Sequence, residues 1–139
     1  MISLTAQYAI RAVMHIAKAG RWCTAVEIAT TANIPRGYIA KVLNVLAHSG
    51  ILLSQRGFNG GFQFNPEFRQ LSIYEIVRAI DPKERFSSCQ DCNLGDPSAD
   101  CAANRLLAEI QGDIDTRLRG AKLIDLLGSC GEPPWPAET

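Results

Sequence analysis

The chain has 139 residues and a formal net charge of zero. This length is enough for one domain with a buried core and one added helix. No apolar run approaches the roughly 20 residues of a membrane span, and the N-terminus lacks the basic start and apolar core of a signal peptide. We therefore expect a cytoplasmic protein without a membrane partner.

The zero average hides an uneven distribution of charge. Residues 1–80 contain eight Lys or Arg and three Asp or Glu. Residues 81–139 contain six Lys or Arg and eleven Asp or Glu. A basic region attracts a polyanion such as a nucleic acid, and an acidic region is repelled by one. The N-terminal half is therefore the candidate binding region.

Two helices are predicted within the first 32 residues. Thr5 is a candidate N-cap for a first helix that continues to Gly20. Apolar residues recur along it at helical spacing: Ile10, Val13, Met14 and Ala17. Thr24 and Glu27 match the capping box, in which each side chain satisfies a backbone donor, and predict a second, short helix through Ala32.

A third helix is predicted from Pro35, because a proline lacks the N–H that would be unpaired in a first helical turn. Its apolar stripe consists of Ile39, Val42, Leu43 and Leu46. Its opposite face consists of Gly37, Ala40, Lys41, Asn44 and His48. These residues are small or can donate hydrogen bonds, so this face can lie close to another surface. Ser49-Gly50 ends the helix.

A hairpin follows this helix directly. Residues 51–55 and 62–64 read as antiparallel strands, and the glycine-rich loop between them carries Arg56. Asn33-Ile34 forms the tight turn between the second and third helices. Two short helices joined by such a turn and followed by a basic hairpin are typical of a winged helix-turn-helix, whose second helix enters a DNA groove.

Five residues are the candidate DNA contacts, since affinity for DNA comes mostly from cations and backbone donors at phosphates. Arg36, Tyr38 and Lys41 lie on the predicted recognition helix. Arg56 would reach the minor groove from the wing, where Asn59 and the surrounding glycines allow close approach. The alternative for each is a solvated surface side chain.

The C-terminal half begins with a second capping box at residues 71–75, and the short helix it opens ends at Asp81-Pro82. Apolar residues then step by three and four from about residue 102 to residue 127. A helix of that length exceeds what this small domain can cover, so we expect it to pair with its copy in a second subunit. The alternative is packing on its own domain alone.

The predicted fold is therefore mainly α with a small β-hairpin wing. It is a winged helix-turn-helix domain plus a long C-terminal dimerisation helix. The chain divides into a DNA-binding domain at 1–80, a cysteine-containing sensor loop at 81–101, the dimerisation helix at 102–128 and a loose tail at 129–139.

Three of the five cysteines lie in the sensor loop. Cys89, Cys92 and Cys101 fall within thirteen residues, and thiolates in such proximity suit an iron–sulphur cluster or zinc. The two-residue gap between the first two also permits a reversible disulfide. Cys23 is expected to be a small buried apolar residue, Cys130 to have no role, and His15 to be a partly buried packing residue.

Four segments carry a family resemblance: LTAQYAIRAVMHIA, IPRGYIAKVLNVLAHSGIL, SQRGFNGGFQF and LSIYEIVRAID. Together they resemble the IscR/NsrR family of winged-helix iron–sulphur regulators, over about residues 3–128. The resemblance implies a homodimeric bacterial transcription factor. It also implies that Cys89, Cys92 and Cys101 hold a cluster, of the 2Fe–2S or 4Fe–4S type, that tunes DNA binding.

The sequence departs from the family at three places. Cys89 and Cys92 are closer together than the first two cysteines of cluster-binding members. Asn104 stands where IscR-like members have a histidine after the third cysteine, and Gln7 stands where nitric-oxide sensors have an aspartate before the first-helix tyrosine. A fourth cluster ligand is therefore not identified by the resemblance.

The sequence predicts a homodimeric, sequence-specific DNA-binding transcription regulator, a repressor and not an enzyme, that reads a near-palindromic operator. One alternative is the same regulator switched by a Cys89–Cys92 disulfide without a cluster. Another is a winged-helix interaction module that does not bind DNA. A thioredoxin-like enzyme is disfavoured because no βαβ pattern surrounds Cys89 and Cys92.

Overall fold

The computed structural model describes residues 2–82 and 102–128. Over these residues the chain forms α-helices, one short 3-10 helix and one two-stranded sheet. In chain order the elements are α1 Leu4–Ala19, α2 Ala25–Thr31, α3 Arg36–His48, β1 Leu52–Gln55, β2 Gly61–Phe64, the 3-10 helix Pro66–Phe68, α4 Ile73–Ile80, α5 Ala102–Gly120 and α6 Leu123–Gly128.

Helix α1 lies at the centre of the domain and packs against α2, α3, α4, α6 and β2. Mostly small and branched side chains line its buried face: Ala6, Tyr8, Ala9, Ala12, Val13, Ile16 and Ala17. The predicted N-cap was wrong, because Ser3 and not Thr5 accepts the N–H of Ala6, at 3.1 Å. The Ser3 N–H is itself bonded to Asp81 Oδ2 at 3.3 Å, so a residue distant in sequence fixes where the helix begins.

The predicted helix-turn-helix is confirmed by α2 and α3. The Thr24 hydroxyl accepts the N–H of Glu27 at 3.2 Å and opens α2. Asn33 turns the chain with a φ of 54°, a left-handed conformation that asparagine tolerates well. Pro35 occupies the N-cap of α3 in an extended conformation, one position before the expected first turn. The predicted stripe of α3 is buried: Ile39, Val42, Leu43 and Leu46.

The predicted hairpin is also confirmed, with small shifts in its strand boundaries. Strands β1 and β2 pair antiparallel, from Leu52 opposite Phe64 to Gln55 opposite Gly61. Leu52 and Phe64 are both buried and anchor the base of this wing to the core. The other side chains of β1, at residues 53–55, face solvent.

A third segment pairs with the wing and was not predicted. Cys23, between α1 and α2, exchanges two backbone hydrogen bonds with Phe62, each of 2.8 Å. Gly61 makes this approach possible. Its φ is 133°, and a Cβ there would collide with the carbonyl oxygen of Cys23. The wing is therefore tied directly to the loop that precedes α2.

The capping box of α4 is complete, as predicted. The Ser72 N–H donates to Glu75 Oε2 at 2.7 Å, and the Glu75 N–H donates to the Ser72 hydroxyl at 3.3 Å. Ile73, Ile76 and Val77 are buried against the core. The helix ends at Ile80, next to α1.

The prediction of one continuous C-terminal helix was wrong. Helix α5 ends at Gly120, and the next two residues run extended beside the start of α4. The Ile73 N–H donates to the Ala121 carbonyl at 2.9 Å, and the Leu123 N–H donates to the Leu71 carbonyl at 2.8 Å. These bonds break the helix, and α6 then returns to bury Leu123 and Leu127 in the core.

Helix α5 differs from the other long helices in its burial, because none of its residues is buried within the described chain. Leu106, Leu107 and Ile110 are exposed near its start. The predictions for Cys89, Cys92, Cys101 and Cys130, and for the tail, fall outside the described residues. None of the described helices is long and apolar enough to cross a bilayer.

Candidate DNA-binding surface

The outer face of α3 is open to solvent along its whole length. Its exposed residues are the ones predicted from the sequence: Gly37, Ala40, Lys41, Asn44 and His48. The opposite side of the helix lies in the core, so its backbone position is fixed by packing. A rigid helix with small residues outward can approach a DNA groove closely.

Three exposed cations lie on α3 and the wing. Arg36 is the first residue of α3, Lys41 lies on its exposed face, and Arg56 follows β1 at the base of the wing loop. Among the described residues, no acidic side chain forms an ion pair with any of the three. Each charge is therefore available to a phosphate.

Tyr38 lies at the edge of this surface and has a second role in packing. Its side chain is 37% exposed, and its ring meets the Tyr8 ring edge-on with centroids 5.0 Å apart. The guanidinium of Arg11 lies 5.0 Å from the centroid of the Tyr8 ring and donates to the carbonyls of Ala32 and Asn33 at 3.3 and 3.1 Å. These contacts connect α1 to the helix-turn-helix and hold Tyr38 beside the exposed face.

A groove of about 450 Å³ separates the end of α3 from the wing. Asn44 and His48 line it from α3, and Ser54, Gln55 and Arg56 line it from the hairpin. All five side chains are exposed and can exchange hydrogen bonds with a phosphate backbone. Sequence analysis had identified Arg56 here but missed Ser54 and Gln55, which are both exposed at the end of β1.

The tip of the wing carries a residue that sequence analysis also missed. Phe58 is fully exposed and lies between Gly57 and Asn59. A large aromatic side chain gains nothing from this position in the free protein. The sequence did hold a signal, since a phenylalanine in a short glycine-rich loop beside Arg56 has no core to enter.

The three cysteines predicted to hold a cluster lie outside the described residues. Within the described part, one group of metal-ligating side chains is present: His15, Cys23 and Glu27. It contains a single thiol, whereas iron–sulphur clusters are held mainly by several thiolates. This group therefore does not fit a cluster.

Arg21 contacts one member of that group directly. Its guanidinium is ion-paired with the carboxylate of Glu27, and this hydrogen bond lowers the pKa of Glu27. Burial raises the pKa of the Cys23 thiol. The expectations that Cys23 is buried and that His15 is partly buried are confirmed.

Comparison with known proteins identifies relatives over nearly the whole chain. A family model described as Rrf2, iron-dependent transcriptional regulator, matches residues 2–129. A curated Rhodobacter capsulatus protein, named an rrf2-like HTH-type transcriptional regulator, is 28% identical over 147 positions that cover 96% of this chain and 95% of that protein.

Two solved structures have the same fold. T. potens IscR matches with a TM-score of 0.73 and 19% identity, over 100% of this chain and 93% of that one. B. subtilis CymR, described as the global cysteine regulator, matches with a TM-score of 0.71 and 21% identity, over 93% of this chain and 97% of that one. At these identities the likeness establishes the fold alone.

Proposed function

The chain belongs to the Rrf2 family of transcriptional regulators, and from that premise we propose that it is a homodimeric, cytoplasmic repressor of transcription. It binds a near-palindromic operator in double-stranded DNA. Helix α3 lies in the major groove, and the wing reaches the neighbouring minor groove. Its affinity for DNA is set by chemistry at Cys89, Cys92 and Cys101.

The observation that carries this proposal is the continuous polar surface formed by α3 and the wing. Arg36, Lys41 and Arg56 lie on it without described ion-pair partners, and the groove between the end of α3 and the wing is lined by hydrogen-bonding side chains. A duplex presents a dense row of phosphates, and cations that replace its counterions supply much of the binding free energy. The N-terminal position of the basic residues along the chain agrees with this placement.

The proposed dimer contact is the exposed apolar part of α5. Leu106, Leu107 and Ile110 are 56%, 39% and 41% exposed, which is unusual for three large apolar residues within five positions. A second copy of the same helix would cover them. A two-fold axis then places the two recognition helices on half-sites about one helical turn apart, or a multiple of it.

The proposed sensor segment joins α4 to α5 and contains Cys89, Cys92 and Cys101. Three thiolates are suitable donors for an iron–sulphur cluster, and the family description names iron. A bound cluster would make DNA binding sensitive to iron supply or oxidation. The alternative is a Cys89–Cys92 disulfide without a cluster, and the visible absorption of protein purified without oxygen separates the two.

The test of DNA binding is fluorescence anisotropy with DNA from the protein's own promoter, measured against salt concentration. We expect Lys41→Ala and Arg56→Ala each to weaken binding and to flatten the salt slope by about one unit. Arg117→Ala removes the same charge from α5 and serves as the control. Unchanged binding in both test variants would favour the alternative of an interaction module without DNA binding.

The dimer is tested by sedimentation at micromolar concentration. Ile110→Asp places two carboxylates in the proposed apolar contact, where burial of charge is costly, and should give monomers. Glu109→Gln alters the adjacent residue, which is already polar, and should leave the dimer intact. A monomeric wild-type protein would overturn this part of the proposal.

A further inference from the structure

Three side chains from separate parts of the chain converge beneath the base of the wing. His15 lies on α1, Cys23 lies in the loop that pairs with β2, and Glu27 lies in the first turn of α2. One ligand atom of each lies within 4.8 Å of the others. An imidazole nitrogen, a sulphur and a carboxylate oxygen therefore surround a single point.

The imidazole of His15 also has an unpaired nitrogen. The Nε2 atom of His15 is buried and has no hydrogen-bond partner among the described residues. Buried polar atoms are nearly always paired, because water is lost on burial and nothing replaces it. One nitrogen of the same imidazole lies within 4.8 Å of the Cys23 and Glu27 ligand atoms.

We propose that His15, Cys23 and Glu27 bind one divalent transition-metal ion of the zinc class. A thiolate, an imidazole and a carboxylate are the ligand types that such an ion prefers, and three of them with one water complete a tetrahedron. The ligand atoms need to approach one another by less than about 1.5 Å to reach tetrahedral separations. Binding releases the thiol proton of Cys23 to solvent, so that the metal–sulphur bond replaces the S–H bond.

Arg21 pairs with the carboxylate that the proposed metal ion would bind. Its guanidinium pairs with the Glu27 carboxylate, and its Nη1 atom lies 4.0 Å from Cys23 Sγ. The side chain is 60% exposed, so it can turn into solvent without leaving a buried charge behind. A metal ion and Arg21 therefore compete for the same carboxylate, and removal of the arginine should favour the metal.

This site is distinct from the proposed sensor segment. It uses one thiol, which suits a single ion, and it lies wholly on residues that precede α3. Cys23 exchanges two backbone hydrogen bonds with Phe62. The two segments are in close contact because Gly61 has no side chain. A metal bound at Cys23 would therefore stiffen the base of the wing that carries Arg56. This consequence rests on the proposed DNA-binding function, whereas metal binding does not.

The test is a cobalt titration of the full chain with Cys89, Cys92, Cys101 and Cys130 changed to serine, so that Cys23 is the sole cysteine. We expect one Co²⁺ per chain and a thiolate-to-cobalt charge-transfer absorption that Zn²⁺ abolishes by displacement. Adding Cys23→Ala should remove the absorption, and His15→Gln or Glu27→Gln should weaken binding at least tenfold. Arg21→Gln should tighten binding.

Two matched controls are available. His48→Gln changes the only other histidine, and Glu67→Gln changes an exposed carboxylate outside the cluster. Both should leave the titration unchanged. Absence of the charge-transfer absorption in a folded protein, or a titration insensitive to His15→Gln and Glu27→Gln, overturns the proposal.

A second measurement uses the unmodified chain, in case the serine background does not fold. Alkylation of Cys23 is followed by peptide mass spectrometry, which separates it from the other cysteines. Saturating Zn²⁺ should slow its alkylation at least tenfold, and this protection should be lost in Glu27→Gln. An unchanged rate overturns the proposal. Neither measurement contains DNA, so failure of the metal site is distinguishable from failure of the proposed regulator function.

Discussion

Arg119, at the end of α5, donates a hydrogen bond to the hydroxyl of Tyr74 on α4 at 3.0 Å. Its guanidinium carbon also lies 4.2 Å from the centre of the Tyr74 ring. Arg78 donates to the same hydroxyl at 2.9 Å and lies 3.8 Å from Asp115 of α5. These bonds lower the pKa of Tyr74, with the Arg78 hydrogen bond as the largest cause.

This polar cluster sets the orientation of α5 relative to the winged domain. Helices α4 and α5 flank the segment that contains Cys89, Cys92 and Cys101 in the sequence, so under the proposed sensor function they are the two elements that a change in that segment would move. Tyr74 receives a hydrogen bond from a residue of each helix. A shift of α5 would therefore have to break the hydrogen bond from Arg119 to Tyr74 and the ion pair between Arg78 and Asp115.

The first prediction concerns α6, whose return to the core was not expected from the sequence. Leu123→Ala removes a fully buried side chain and should lower the free energy of unfolding by about 2–5 kcal/mol, because a cavity replaces it. Leu53→Ala, at an exposed leucine of β1, should change it by about 0.5 kcal/mol or less. Urea denaturation measures both, and equal effects would contradict this position of α6.

The second prediction concerns the ion pair between Arg21 and Glu27. The pKa of Glu27 is lowered in the folded protein, chiefly by the Arg21 hydrogen bond. The carboxyl group therefore binds protons more weakly when folded, and its contribution to stability is present above the unfolded value of about 4.3. It is lost as the pH falls through the lower, folded value.

The measurement is urea denaturation of the metal-free protein between pH 6 and pH 3. Wild type should exceed Arg21→Gln in stability at pH 6, and the difference should shrink as the pH falls below about 4.3. Lys41→Gln removes a positive charge from the exposed face of α3, where no described acidic side chain pairs with it, and should show no such trend. A constant difference between wild type and Arg21→Gln would mean that Glu27 does not stabilise the fold through this ion pair.

Individual elements of the fold show which features can be predicted from the sequence and which cannot. The stripe from Ile39 to Leu46 and the Ser72–Glu75 capping box depend on residues three and four apart, so a local pattern contained them. The break after Gly120 depends on hydrogen bonds to Leu71 and Ile73, about fifty residues away. No local pattern records such a partner, and the apolar spacing continues through the break.

In the candidate sites, too, residues set by a local pattern were predicted, and residues brought together by distant contacts were not. Lys41 and Arg56 were predicted as DNA contacts because their positive charge and their place in a helix or loop were sufficient to identify them. His15 and Cys23 were expected to be packing residues, and their meeting with Glu27 depends on how α1 crosses the start of α2. Thr5 was predicted as the N-cap of α1, and Ser3, which also has a hydroxyl, takes that position in the structure. The choice between them involves Asp81, at the far end of the domain.

The third prediction separates two kinds of wing contact. Phe58 is an uncharged side chain at the tip, and such residues can insert between base pairs and bend DNA. Phe58→Ala should therefore weaken operator binding at least fivefold and leave the salt slope unchanged. Arg56→Ala should weaken binding and also reduce the slope by about one unit. Anisotropy titrations at several salt concentrations distinguish them, and a slope altered by Phe58→Ala would contradict this assignment.

The last prediction joins the sensor cysteines to the Tyr74 cluster. Cys89→Ser, Cys92→Ser and Cys101→Ser should each abolish the signal-dependent change in DNA affinity and leave the dimer intact. Cys130→Ser should have no effect. If the three cysteines act by moving α5, then Tyr74→Phe should weaken the same response, because it removes the hydroxyl to which Arg78 and Arg119 donate.

The measurement compares operator affinity before and after treatment with an oxidant or an iron chelator, with the visible spectrum recorded in parallel. A tenfold change requires about 1.4 kcal/mol of coupling free energy, which rearrangement of a few hydrogen bonds can supply. Tyr74→Phe should keep the spectrum of the wild type and lose most of the response, whereas the cysteine variants should lose both. Tyr8→Phe removes a hydroxyl from α1, outside the candidate DNA contacts, and as the matched control should keep both. A full response in the triple cysteine variant would place the sensor elsewhere in the chain.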